Sequence, residues 1–399
     1  MGKKLSIAVV GLGSAGPASA ILLARQGHHV ELFERAPSCE PVGAGFLLQP
    51  SGMSVLDELG ILDPILAKGA RVERLHVLNQ QGQDLLDLQY QELGENHFGL
   101  GLHRPVLLHH LLEALSLESV PVHWNWEVTK ATQDKNLWSL HASNGRSSGP
   151  FDLLIIADGA RSALREQLFP KGINRGYPWG AHWFIGKNND TFPTSELYQV
   201  VNGTRQLAGF LATGHDLHHA DDLVSLFWSI KIADDDAIRA QPLQSWKETI
   251  LKVTPRAEPF LSQIEDWSQV LTARYGDVRL PSYHRAGAVI LGDAAHAMSP
   301  QLGQGVNLAL QDAATLANCL HNMPLADALP EYARARRLQL AYYSFSTRQL
   351  TPWFQSDHEW LSPLRKIFFR TMQHTPPARK FMTKTMAGLV CHNAKKSIN

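Results

Sequence analysis

The chain has 399 residues, enough for two domains or one large domain with elaborations, and for a sizeable core. Lysine plus arginine and aspartate plus glutamate each total 37, so the global positive field of a nucleic-acid binder is missing and no nucleic-acid partner is expected. The 44% hydrophobic content is that of an ordered globular protein, and the three scattered cysteines, Cys39, Cys319 and Cys391, exclude a disulfide framework and predict a cytoplasmic, reducing setting.

Lys3 and Lys4 before an apolar stretch ending in Ala18-Ser19-Ala20 imitate a signal peptide, but Gly11, Gly13, Gly16 and Pro17 interrupt it. Met1-Gly2 with Ser6 matches a short acylation pattern, set aside because a buried strand is expected from Leu5. No run of about 18 apolar residues predicts a spanning helix. Residues 5–10 read as a strand buried on both faces, 14–26 as a helix and 29–34 as a second parallel strand, which together make a βαβ unit. Residues 71–90 read as a hairpin around Gln81-Gly82. Arg104-Pro105 opens a helix to about Leu117, and 122–130, 137–141 and 151–157 are further strands. From 177 to 275 strands without crossover helices predict an inserted sheet domain. A strand at 288–291 and a helix over 305–320 then lead into mostly helical sequence.

Three motifs follow strands. Gly11-x-Gly13-x-x-Gly16, with Glu34 closing the second strand, suits a pyrophosphate at a helix N-terminus and a carboxylate on ribose hydroxyls, without separating NAD from FAD. Asp158-Gly159-Ala160-Arg161-Ser162-Ala163-Leu164-Arg165 suits hydroxyls and phosphates at a sheet edge, or equally an N-cap and a surface helix. Gly292-Asp293-Ala294-Ala295-His296, continued by Pro300, Gly303-Gln304-Gly305 and Asn307, offers close backbone approach to a flat ligand, a carboxylate for a polyol and a helix N-terminus for developing negative charge.

Together, in this order and spacing, the motifs resemble the class A, single-component FAD-dependent monooxygenases, the aromatic-hydroxylase family, over roughly residues 5–340. The resemblance implies an α/β fold: a discontinuous Rossmann-like FAD-binding domain (1–70, 98–175, 276–340), an inserted mainly β substrate domain (71–97, 176–275) and a helical C-terminal segment (341–399). It implies noncovalent FAD, with NADPH or NADH as co-substrate. The activity implied is hydroxylation of a planar, largely apolar aromatic or quinol-like molecule through a C4a-hydroperoxyflavin and O2. Cofactor contacts would come from Gly11, Gly13, Ser14, Ala15, Gly16, Glu34, Arg35, Arg104, Asp158, Gly159, Gly292, Asp293, Gly303, Gly305, Val306 and Asn307. Pro300, Gly303, Gln304 and Gly305 would form the flavin-face loop. The sequence does not disclose a general base; His182, His215 and Tyr283 are candidates, His182 foremost. The alternatives are a flavin reductase or dehydrogenase on the same fold and a non-catalytic flavin-binding sensor.

Two features read as decoys. Trp124-Asn125-Trp126 resembles the W-x-W element of flavin-dependent halogenases but is expected to be strand packing, and His215, His218, His219, Asp221 and Asp222 read as a solvated loop, with no metal site expected. After Glu359 no acidic residue follows, whereas Arg365, Lys366, Arg370, Arg379, Lys380, Lys384, Lys395 and Lys396 do, interleaved with apolar residues. This predicts a helical segment that docks its apolar residues on the FAD domain and leaves its charges solvated, with peripheral contact to an anionic membrane as the alternative.

Overall fold

The computed structural model describes residues 3–38 and 45–391. Cys39, Met1-Gly2, Lys395 and Lys396 lie outside them. The strand Ser6–Val10 is central to a six-stranded sheet ordered His284–Arg285, Ala288–Ile290, Leu153–Ile156, Ser6–Val10, His29–Phe33, Val122–His123, parallel except at the first pair. Its apolar run is explained by cover on both faces. Ile7 and Val9 pack under the helices Ala15–Arg25 and Gly305–Asn322, while Ala8 and Val10 face the antiparallel sheet of Val128–Asp134, Leu137–Ala142 and Ser147–Phe151. Leu153–Ile156, Ile-Leu rich and wholly buried, is the parallel neighbour whose carboxyl end carries Asp158.

A second sheet of seven strands runs Leu271–Arg279, Ile173–Lys187, Leu223–Lys231, Gln206–Gly214, Glu196–Asn202, Arg74–Asn79, Asp84–Gln89. The hairpin expected around Gly82 thus joins the inserted domain, parallel to Glu196–Asn202. This domain is not free of helices. Asp235–Arg239, Leu243–Val253 and Glu258–Leu261 cover its outer face, where Trp246, Ile250 and Phe260 bury Phe184, Phe210, Leu226 and Trp228. A third sheet, Gly45–Leu48, Gly99–His103 and Ala70–Val72, bridges the two domains; a Cβ at Gly101 would stand 1.8 Å from the Ala212 carbonyl oxygen, so only glycine lets these backbones meet.

The expected domain boundaries cut through elements. Ile173–Lys187 and Leu271–Arg279 continue from one domain into the other, and residue 341 lies inside the helix Leu325–Phe354. Trp124 and Trp126 are not on a strand; they sit in the loop between Val122–His123 and Val128–Asp134, where Trp126 packs edge-on to Phe33 at 5.0 Å.

The C-terminal helices Leu361–His374 and Pro376–Met386 do dock on their own protein, but mainly on the seven-stranded sheet of the inserted domain and not, as expected, on the FAD domain. Phe369 and Met386 are buried with Val201 and Leu207 of the large sheet. Several of the cations are engaged internally: Arg365 donates to the Trp353 carbonyl at 2.6 Å, Lys366 to Gln83 at 2.8 Å, and Arg379 pairs with Glu92 at 2.6 Å. No helix among the described residues is long and apolar enough to cross a membrane.

Candidate active site

The motifs converge because each follows a parallel strand. In such a sheet the carboxyl ends of neighbouring strands open one crevice. At the first turn a Cβ on Gly11 (φ +106°) would lie 2.4 Å from the Ala157 oxygen, and one on Gly16 1.9 Å from the Gly11 oxygen, so two glycines close the turn against the DG strand and the helix. Gly13 has nothing within 4 Å of its would-be Cβ, leaving the side toward the helix N-terminus at Ser14 and Ala15 open. Glu34 is fixed beside it, its two carboxylate oxygens accepting from the Leu12 and Ala36 N–H groups at 2.7 and 2.9 Å. Arg35 and Arg104 are exposed, Arg104 at the first turn of the helix Arg104–Leu117.

Asp158 carries the clearest sign of a missing partner. Its Oδ1 is buried without a hydrogen bond, and burial pushes its carboxyl up to about 6. Gly159 follows at φ +83°. Behind it the buried Arg165 donates to the Ala294 and Ala160 carbonyls at 3.1 and 2.8 Å, tying the second motif to the third.

In the third motif Gly292 and Asp293 open the short helix Gly292–His296, and Asp293 is exposed toward the crevice, its Oδ1 3.7 Å from where a Gly305 Cβ would stand. Asp312, wholly buried, holds this turn from behind. Its Oδ2 accepts from the Gly292 N–H at 2.9 Å and from His296 Nε2 at 2.6 Å, and its Oδ1 from Arg336 Nε at 2.7 Å. Burial alone would raise the Asp312 pKa, but His296 and Arg336 outweigh it and hold the carboxylate low. The turn Pro300–Leu302 ends at Gly303 (φ +60°), then Gln304 caps the helix Gly305–Asn322. Val306 is half-buried, and Asn307 clamps the loop to the strand Gly45–Leu48, accepting from the Gln49 N–H at 2.8 Å and donating to the Leu47 carbonyl at 3.2 Å.

An open glycine cradle, a fixed ribose-directed carboxylate, an orphaned acceptor and a helix N-terminus in one crevice fit FAD. Comparison with known proteins agrees. The family model for an FAD-binding domain matches residues 4–341. The 6-hydroxynicotinate 3-monooxygenase of Pseudomonas fluorescens is 29% identical over 362 residues, covering 84% of this chain and 89% of that protein. The 3-amino-4-hydroxybenzoate 2-monooxygenase of Streptomyces cremeus is 28% identical over 367 residues, 88% of each. The chain is a class A flavoprotein monooxygenase. Its fold is that of Klebsiella pneumoniae HpxO solved with FAD and uric acid, at a TM-score of 0.82 and 19% identity over 96% of both chains, and of Pseudomonas aeruginosa PqsL, at 0.80 and 22% over 92% of this chain and all of that one.

The monooxygenase's large sheet turns its inner face toward the flavin loop. Gly45 on the strand below Leu47 abuts Thr213 and Ser225, and a Cβ at Gly303 would lie 4.0 Å from that of Leu47. On this face stand Trp183 and Phe227, edge-on at 5.2 Å, with Leu211 and Tyr275. None of these side chains is charged. Trp183 Nε1 and the Tyr275 hydroxyl are buried beside each other, Ser225 Oγ is buried without a hydrogen-bond partner, and burial pushes the Tyr275 phenol well above its ordinary range although the Trp183 N–H opposes this.

His182 is not among them. Strand alternation puts it with Phe184 on the outer face, where it is fully buried between Trp246 and Trp267 and bonded to Asp235 at 2.9 Å. His215 lies in the loop after Gln206–Gly214, its Nδ1 against the Asp221 carbonyl at 3.2 Å, and Tyr283 is buried near Asp312 with its pKa pushed up to about 12. Neither reaches the inner face as a base. Asp216 takes the His218 and His219 N–H groups, so that segment organises itself as a loop; the one group among the described residues with metal-ligand spacing is the surface set His109, His110 and Glu113.

Asp312, Trp183 and Tyr275 were given no site role from the sequence, although Trp183 lies in the aromatic-rich segment His182-Trp183-Phe184. Asp312 had a signal, an acid in the apolar helical stretch that follows Asn307. The other two had none, since strand periodicity does not say which face meets the crevice.

We infer that Asp158 accepts hydroxyl donors of FAD, which favour its ionised form. Its unliganded pKa near 6 then links flavin binding to proton release. FAD affinity should rise between about pH 5 and about pH 7 by at most about tenfold per unit, then level off. Fluorescence titration at a series of pH values should show this rise in the wild type and a flat profile in Asp158→Asn.

Proposed function

We propose that the enzyme consumes NAD(P)H and O2 to hydroxylate a planar, largely apolar aromatic or quinol-like molecule. What supports this is the uncharged aromatic wall of Trp183, Phe227 and Tyr275 on the sheet face against which Gly45 packs, with Leu47 of the same short strand beside Gly303. When bound, FAD would supply the redox chemistry, passing reducing equivalents from NAD(P)H to O2 so that one oxygen atom reaches the substrate and the other leaves as water. Glu34, Arg35 and Arg104 hold the adenosine and phosphate end at the Gly11–Gly16 turn; Asp158, Gly159, Gly292 and Asp293 hold the ribityl chain. Pro300, Gly303, Gln304 and Gly305, with Val306 and Asn307, line the ring, and the N–H groups opening the helix Gly305–Asn322 stabilise negative charge there.

Tyr275, kept protonated by its burial, donates to a carbonyl or phenol oxygen of the substrate instead of acting as base. An unpaired carboxylate in this wall would have no cation to meet, so uncharged rings fit better than benzoates. Relatives named for 6-hydroxynicotinate and for 3-amino-4-hydroxybenzoate, and the structure of HpxO with uric acid, support a ring substrate while spanning several ring chemistries.

A peripheral membrane contact is a second reading, favoured by one observation. Trp360, Leu364, Ile367, Phe368 and Phe381 remain exposed beside Lys366, Arg370, Lys380 and Lys384, an apolar and cationic surface suited to an anionic bilayer. Sedimentation with anionic vesicles at low salt should carry the protein down, and less so at high salt; absence from the pellet under both conditions leaves a merely docked segment.

With phenols, quinolones and benzoates offered in turn under 18O2, an uncharged ring should stimulate NAD(P)H consumption and gain one labelled atom. Equal turnover without oxygen, with another electron acceptor, would establish the reductase instead.

A further inference from the structure

The family match ends at residue 341, yet the last described helix, Pro376–Met386, brings the chain back to the flavin crevice. The turn after it touches one loop of that crevice directly and is linked to the other through the helix Leu325–Phe354. On one side Gln304, in the flavin-face loop, donates from Nε2 to the Met386 carbonyl at 2.7 Å. On the other, Gln339 Nε2 donates to the Gly388 carbonyl at 3.3 Å, while its Oε1 accepts from Arg336. Arg336 in turn holds Asp312, which holds the Gly292 N–H and His296. An unbroken series of buried hydrogen bonds therefore runs from the C-terminal turn to the backbone of the GDAAH motif.

The turn is fitted closely. Gly388 has φ +77°, and a Cβ there would stand 2.1 Å from Ser51 Oγ and 3.0 Å from Gln304 Oε1. Ser51 belongs to the helix Pro50–Glu58, whose N-cap residue Gln49 donates its N–H to Asn307. Tyr343 fixes the turn from behind, donating to the Thr385 carbonyl at 3.2 Å and accepting from the Val390 N–H at 3.3 Å, and Tyr342 meets the Thr385 hydroxyl at 2.6 Å. Buried polar groups have no water to fall back on, so these partners move together or not at all.

We propose that residues 385–388 are a positioning clamp for the flavin, with Gly388, Gln339 and Gln304 setting how tightly the 300–305 loop and the Gly292–Asp293 turn close on it. None of the clamp beyond Gln304 needs to touch the cofactor. It fixes the two loops that do, and it makes the segment beyond the family match part of the cofactor site. The clamp rests on the FAD placement proposed above, and four variants separate the two.

Gly388→Ala pushes a methyl into Ser51; Gln339→Leu keeps the volume and removes the tether. Each should weaken FAD binding about tenfold, alter the visible spectrum of the bound flavin, and divert a larger share of NAD(P)H electrons to hydrogen peroxide, with unchanged far-ultraviolet circular dichroism. Gly388→Ala combined with Ser51→Gly should recover part of the affinity. Wild-type FAD affinity and spectrum in folded Gln339→Leu and Gly388→Ala would overturn the clamp. If Gly388→Ala does not fold, Gln339→Leu decides alone. Gly303→Val serves as the control, expected to lose FAD binding; wild-type binding there would remove the flavin from this loop and overturn the placement beneath the clamp.

Discussion

A carboxylate with no access to water is expensive unless it is well bonded, and Asp312 accepts from three groups: the Gly292 N–H and His296 of one short helix, and Arg336 of a distant one. Because the Gly292 N–H is one of them, the turn that presents Asp293 cannot shift without stranding a buried charge. Because Arg336 is another, the long helix Leu325–Phe354 is pinned across the back of the helix Gly305–Asn322. The crevice at the strand ends is thereby held rigid from behind, while its open side, around Gly13, Asp158 and Asp293, stays free of side chains that would compete with a cofactor.

The two large sheets divide the work. The parallel sheet offers backbone N–H groups and carboxylates, suited to phosphates and hydroxyls; the seven-stranded sheet offers an uncharged aromatic face. The small three-stranded sheet sets the distance between them. Gly101 lets its backbone press on that of Ala212, and Gly45 sits flush against Thr213 and Ser225. A cofactor held by the first sheet and a ring resting on the second would meet only if that distance is kept, and the close glycine contacts of the bridge keep it.

Local features of the site were legible in the sequence and long-range ones were not. The Gly11–Gly16 turn with Glu34, the DG strand end and the GDAAH segment each occupy a few residues after an apolar run, so strand, turn and chemistry can be seen together. His182 illustrates the limit. Alternation correctly pairs it with Phe184 and opposes it to Trp183, but which face meets the flavin depends on helices that arrive sixty residues later, among them the one carrying Trp246. The same amphipathic helices hid within a stretch expected to be strands alone. Trp183 and Tyr275 lie on different strands that only the finished sheet brings side by side. Gly388 is less visible still, since its requirement for a missing side chain is imposed by Ser51, more than three hundred residues away. At the C-terminus the amphipathic pattern indicated docking but pointed to the FAD domain, whereas the apolar residues meet the seven-stranded sheet, a choice of partner that periodicity does not carry.

The central claim is that one flavin ring lies between the Pro300–Gly305 loop and the Trp183–Tyr275 face. A crystal structure of the enzyme with FAD and a bound uncharged aromatic ligand tests it most directly. The account predicts the ring edge against Pro300 and Gly303, the ribityl hydroxyls within hydrogen-bond reach of Asp158 or Asp293, and the ligand between the ring and Trp183. A ring lying away from the 300–305 loop, or a ligand on the His182 face of the sheet, would contradict it.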